Sequence, residues 1–128
     1  MKKIYLILFT CIAFLGSNAA TYTISIVATS YSPNSLTCAV GDQVIIQASG
    51  LHPANQVDLV NWNAGTTATV SGGWGSQSTT FTFTAVSTGT VYYVCQTHAS
   101  LGMKGMIIVN PTGVNETASN FLNNYNLF

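Results

Sequence analysis

The chain of 128 residues is 48% hydrophobic but only 5% charged, with three lysines, no arginine and three acids, where an ordinary globular domain is about 25% charged. Gripping phosphates takes several Lys or Arg on one face, so nucleic acid is excluded as a partner. What remains is a folded, almost uncharged domain.

In chain order, the first segment is a secretory leader. Lys2 and Lys3 precede thirteen mostly apolar residues, Ile4 to Gly16, and Ser17-Asn18-Ala19-Ala20 fits cleavage after Ala19. A membrane span needs about 18 or more apolar residues, and this run is shorter and contains Thr10. Leu8-Phe9-Thr10-Cys11 loosely resembles a lipobox, yet Thr10 is large for its place and the apolar run continues past Cys11. Removing residues 1–19 leaves 109 residues, a formal charge of about −2, no membrane span, and two cysteines, Cys38 and Cys95. Such a chain is long enough to bury roughly 60–70% of its unfolded surface.

The body reads as short alternating runs separated by Gly, Pro, Asn and Ser, with no helical periodicity. Tyr22, Ile24, Ile26 and Ala28 share one strand face; Leu36, Cys38 and Val40 share another. Gly41-Asp42 makes a turn before Val44, Ile46 and Ala48. Residues 53–78 are glycine-rich, carry Trp62 and Trp74, and predict a long excursion with one or two weak strands, the tryptophans packing on the core. Phe81 and Phe83 alternate with threonines, and strands at Val91 to Cys95 and Met106 to Val109 follow. One-sided strands with frequent turns predict an all-β, antiparallel sandwich over residues 20–110. Residues 111–128 are rich in asparagine and read as a polar tail or linker.

The chemistry concentrates where a strand ends, in the spacing Cys95-x2-His98-x4-Met103-x-Gly105. Thiolate, imidazole and thioether are soft or borderline ligands, and the one other histidine, His52, completes the donor set of the known blue-copper type: one cysteine, two histidines and a long axial methionine. In an exported protein a Cys38–Cys95 disulfide is the competing reading. If Cys95 holds a metal, Cys38 has no partner, and its alternation puts it in the core. Met106 is a second candidate axial ligand, but its strand alternation suits packing. Zinc fits poorly, because its sites do not usually use methionine. No paired carboxylates, Ser-His-Asp set or phosphate loop point to an enzyme.

Cys95-x2-His98-x4-Met103-x-Gly105, preceded by Gly89-x3-Tyr93, resembles the C-terminal motif of the plastocyanins and related small blue copper proteins, the cupredoxins. Ser32-Pro33-x2-Leu36 and Val40-Gly41-Asp42-x-Val44 are similar to that family's early strands, and His52 stands where its first ligand belongs. The resemblance implies a Greek-key β-sandwich, one mononuclear copper held by His52, Cys95, His98 and axially Met103, and one-electron transfer without catalysis. The loop spacing is of the plastocyanin or pseudoazurin kind, and a binuclear centre would need a second loop cysteine.

Two positions depart from the family. Plastocyanins follow the first histidine with Asn, whose backbone N–H points toward the sulfur; here Pro53 has no N–H to give. Thr97 stands where many members have proline, a change expected in loop stiffness more than in ligation.

The expected function is an exported carrier in the periplasm or outside the cell, meeting redox partner proteins transiently through an apolar contact near His98 and Leu101. The uncharged neighbours Leu51, Pro53, Ala99 and Gly102 complete that surface. Copper handling without a redox partner, or an adhesive sandwich without metal, are the alternatives. Val114 to Phe128 resembles the lead-in to a type IX secretion sorting domain, or is a disordered end.

Overall fold

The structure, a computed structural model, describes residues 18–112. Residues 1–17, most of the expected leader, and 113–128, most of the expected tail, lie outside the described residues, and so do the lipobox-like segment and the sorting-domain resemblance. Among the described residues nine strands form two sheets: β1 (Thr21–Val27), β2 (Ser30–Ser32), β3 (Ser35–Ala39), β4 (Gln43–Ile46), β5 (Ala54–Val57), β6 (Ser76–Gln77), β7 (Phe81–Thr84), β8 (Gly89–Cys95) and β9 (Lys104–Asn110). The orders are β2-β1-β4-β7 and β3-β9-β8-β5-β6. The chain passes repeatedly from one sheet to the other, and the layers close face to face as the expected sandwich.

The sheets are mixed: β1 pairs with β4 and β3 with β9 in parallel, and the other ladders are antiparallel. Alternation reports which face of a strand is buried, not the direction of its neighbour, so residue pattern alone could not separate the two arrangements. Parallel neighbours need a crossover connection, supplied here by passage through the opposite sheet.

The core lies between the layers, where Ile24, Val44, Ile46, Tyr93, Cys95 and Ile107 are fully buried. Tyr22 and Ile26 pack on it as their alternation predicts. Ala28 does not continue that face, because β1 ends at Val27 and Ala28 turns at φ 53°, unusual for a residue with a side chain. Trp74 meets Phe81, Phe83 and Tyr93 at ring distances of 5.2–5.9 Å. Trp62 joins a smaller cluster with Val57, Val94, Ala99 and Tyr92. Among the described residues no helix is long and apolar enough to cross a membrane.

The excursion contains the expected weak strands, β5 and β6, and also a helix, α1 (Leu59–Ala64). No residue of α1 is buried, so it carries no apolar stripe for sequence reading to detect. Its signals are at its ends. The Asp58 carboxylate accepts from the Asn61 backbone N–H at 2.8 Å, a standard N-cap. Gly65 closes the helix at φ 66°, and a Cβ there would lie 2.9 Å from the Ala99 carbonyl oxygen, so both conformation and close approach require glycine.

Candidate metal centre

Three segments deliver the donors. A tight turn in which Ser49 and His52 exchange backbone hydrogen bonds at 3.0 and 3.2 Å presents His52. Cys95 is the last residue of β8, fully buried. His98 follows in a loop closed by its own backbone: the His98 N–H donates to the Cys95 carbonyl at 3.2 Å, and the Leu101 and Met103 N–H groups donate to the His98 carbonyl at 3.0 and 3.1 Å. The Cys95 N–H in turn donates to the Met103 carbonyl at 2.8 Å. The eight-residue loop between β8 and β9 is thereby fixed at both ends beside a rigid ladder.

The two ligand segments are also tied to each other. The Gln96 N–H donates to the Pro53 carbonyl at 2.8 Å, and Ala54 pairs with Cys95 across β5 and β8. Proline therefore removes the donor at position 53 but leaves its acceptor holding the loops together. Asn55, buried and not singled out from sequence, steadies the excursion by donating to the Thr67 carbonyl at 2.6 Å and accepting from the Thr69 hydroxyl at 2.9 Å. On the other flank, α1 is latched to the start of β9: Trp62 Nε1 donates to the Gly105 carbonyl at 2.9 Å, and Lys104 Nζ donates to the Trp62 carbonyl at 2.9 Å.

Cys95 Sγ lies 3.8 Å from Nδ1 of His52 and 3.5 Å from Nδ1 of His98. Ligand atoms about 2.0–2.3 Å from one shared ion, at trigonal to tetrahedral angles, stand about 3.3–4.0 Å apart. The imidazole rings face each other at 4.7 Å with planes 33° apart, and the donor atoms of all three residues fall within 4.8 Å of one another. The spacing and the soft character of the set fit a copper ion. His52, Cys95 and His98 are arranged to bind one copper.

Met103 is 1% exposed and packs in the same buried cluster as Cys95. Met106 lies in β9 on the half-buried face it shares with Lys104 and Ile108, and it lines a surface cavity with Trp62 and Asn34. Cys38 is a free, buried thiol in β3, and Cys95 is likewise free, so the disulfide reading is set aside. Burial, and after it the Asp42 carboxylate, push the Cys38 thiol above its ordinary range.

Outward, both imidazoles reach a concavity of about 510 Å³ that they line with Ala28, Thr29, Gly50, Leu51 and Thr97. Leu51 and Leu101 are 76% and 73% exposed. Ala99, expected on this surface, is instead 4% exposed and packs against Val57 and Val94, because its turn folds inward beneath α1.

A sequence profile of copper binding proteins of the plastocyanin/azurin family matches residues 19–110. The chain belongs to that family, the cupredoxins. No curated protein matches it. Among solved structures it is similar to a pseudoazurin from Sinorhizobium, at 21% identity over 73% of this chain and 76% of that one, with a TM-score of 0.53. A pseudoazurin from Methylobacterium extorquens AM1 gives 13% identity, 70% and 75% coverage and a TM-score of 0.51. A Cu-containing nitrite reductase from Thermus scotoductus SA-01 matches 70% of this chain but only 22% of its own, at 22% identity and a TM-score of 0.50. At these identities the likeness is one of fold.

Proposed function

We propose that residues 20–110 form an exported one-electron carrier with a mononuclear type 1 copper site, in which His52, Cys95 and His98 are the near ligands and Met103 the long axial one. Residues 1–19 are its leader and 111–128 its linker, and the protein works in the periplasm or outside the cell without being an enzyme. The observation that carries this reading is a single buried thiol flanked by two imidazole nitrogens at 3.5 and 3.8 Å. Copper bound there supplies a Cu(II)/Cu(I) couple.

The protein's part is to hold the donors still. Cys95 is fixed by the β8 ladder and His98 by the closed loop, so little of the donor set needs to rearrange when one electron is gained or lost. Fully buried sulfur keeps water from the thiolate. The imidazole edges are the part of the site that meets the surface, and the exposed Leu51 and Leu101 around them carry no charge. These features support electron exchange through the histidine edges with a redox partner protein held briefly by an apolar contact. Interfaces of this kind are small and short-lived.

Adding Cu(II) to the mature protein and recording the visible spectrum tests the reading. An intense thiolate-to-copper band is expected, abolished by Cys95→Ser and narrowed or shifted by Met103→Leu. Absence of the band in the native protein would overturn the proposal.

A further inference from the structure

At the end of the sandwich away from the metal centre, Asp42 is only 8% exposed. Its Oδ2 accepts from the Ala39 N–H at 2.8 Å and its Oδ1 from the Ala20 N–H at 2.8 Å. Buried carboxylates are ordinarily paired with a cation. Among the described residues the only cationic side chain is Lys104, and its ammonium donates to the Trp62 carbonyl and covers the Trp62 ring at 4.1 Å. The Cys38 thiol, whose pKa the Asp42 carboxylate helps to raise, cannot supply positive charge.

Ala20 is held on both sides, since its carbonyl accepts from the Gln43 N–H at 2.8 Å. Burial also changes here: Asn18 and Ala19 are exposed and Ala20 is half-buried. The next residue, Thr21, opens the parallel ladder with Gln43.

We propose that Ala19–Ala20 is the bond cut when the leader is removed, and that Asp42 is a receptor for the new Ala20 ammonium, so that processing completes a buried ion pair and locks β1 into its sheet. Hydrolysis adds one water across the amide, leaving the carboxylate on Ala19 and the amine, protonated at neutral pH, on Ala20. The nitrogen already hydrogen-bonded to Asp42 thereby gains a positive charge, at a carboxylate that has no other cationic side chain beside it among the described residues. This rests on reading residues 1–19 as a leader and is independent of the copper site.

The test has two parts. The full chain is expressed and exported in a bacterial host, and the mass of the recovered protein is measured; a first residue of Ala20 is expected, and any other start, or an uncut leader, overturns the proposal. Then chains starting at Ala20 and at Asn18, both running to Phe128, are compared by chemical denaturation. The Asn18 start presents an uncharged amide to Asp42, and its unfolding equilibrium constant is expected to be about tenfold larger, on the scale of a hydrogen bond to a charged group. The difference should collapse in Asp42→Asn. Should that variant not fold, acetylating the Ala20 amine of the native protein keeps an N–H but removes the charge, and should reproduce the Asn18-start stability. Equal stability of the two starts, or a difference that survives acetylation, refutes capture by Asp42. The blue band, measured in each sample, reports the metal site separately.

Discussion

Each end of the sandwich holds a buried free cysteine, and the two differ in what surrounds them. Cys95 ends β8 with imidazole nitrogens at 3.5 and 3.8 Å. Cys38 sits in β3, paired with Val109 of β9, with the Asp42 carboxylate near enough to raise its pKa. One thiol is placed where a cation would be welcomed by three donors. The other is kept protonated by burial and by negative charge. Buried cysteine is the same in composition at both sites, and only the neighbours separate a ligand from a small apolar residue.

The most decisive way to break this comparison is to remove each sulfur in turn. Cys95→Ser should eliminate the thiolate-to-copper band completely, while Cys38→Ser should leave its position and intensity unchanged. A band that follows Cys38 would reverse the assignment of the two ends.

The next effect is on the scaffold. Gly105 stands where a Cβ would collide with the Tyr93 hydroxyl, and its carbonyl receives the Trp62 indole N–H. Overpacking of this kind costs about 1–3 kcal/mol, or a fall in Tm of roughly 5–20 °C for a domain of this size. Gly105→Ala should therefore be destabilised to that extent by thermal unfolding, with Tyr93→Phe recovering part of the loss. A Gly105→Ala protein as stable as the native one would show that β9 can shift away from β8 at the metal end.

A smaller effect tests the uncharged surface. With hexacyanoferrate(III) as oxidant, transfer from the copper-loaded protein should depend weakly on ionic strength. Leu101→Lys adds one cation beside the histidine edge and should raise the low-salt rate about threefold to tenfold, an advantage lost as salt screens it. A steep salt dependence in the native protein would mean that charged groups, and not the apolar contact, govern docking.

The donors were legible in the sequence because they are rare. With only two histidines in the chain, a strand-ending cysteine followed by His98 and Met103 left His52 as the remaining nitrogen donor, and folding brings it to Cys95. The sandwich was legible from alternation in β4, β7 and β9. What escaped were properties set by distant partners. The parallel pairings of β1 and β3 depend on connectivity. The helix α1 has no fully buried residue and is marked only by Asp58 and Gly65. Asn55 and Asp42 look like ordinary loop and turn residues until the backbone groups they bind, Thr67 and Ala20, are brought beside them. Ala99 looked like surface because nothing local announces that α1 covers it.

The finest distinction lies at Pro53, where the sequence departs from its family. Its carbonyl still accepts from the Gln96 N–H, so the substitution Pro53→Asn should leave the loops tied and restore the backbone N–H that proline lacks, which the family resemblance would direct toward the sulfur. A donor to the thiolate withdraws electron density from it and favours Cu(I), raising the reduction potential. A net hydrogen bond of about 1 kcal/mol corresponds to about 40 mV for a one-electron couple. Voltammetry of the two copper-loaded proteins should show a rise of that order in the variant. An equal or lower potential would mean that the missing N–H is not what tunes this site, and that the hold of the ligand loops, which the two proteins share, matters more than the number of donors on sulfur.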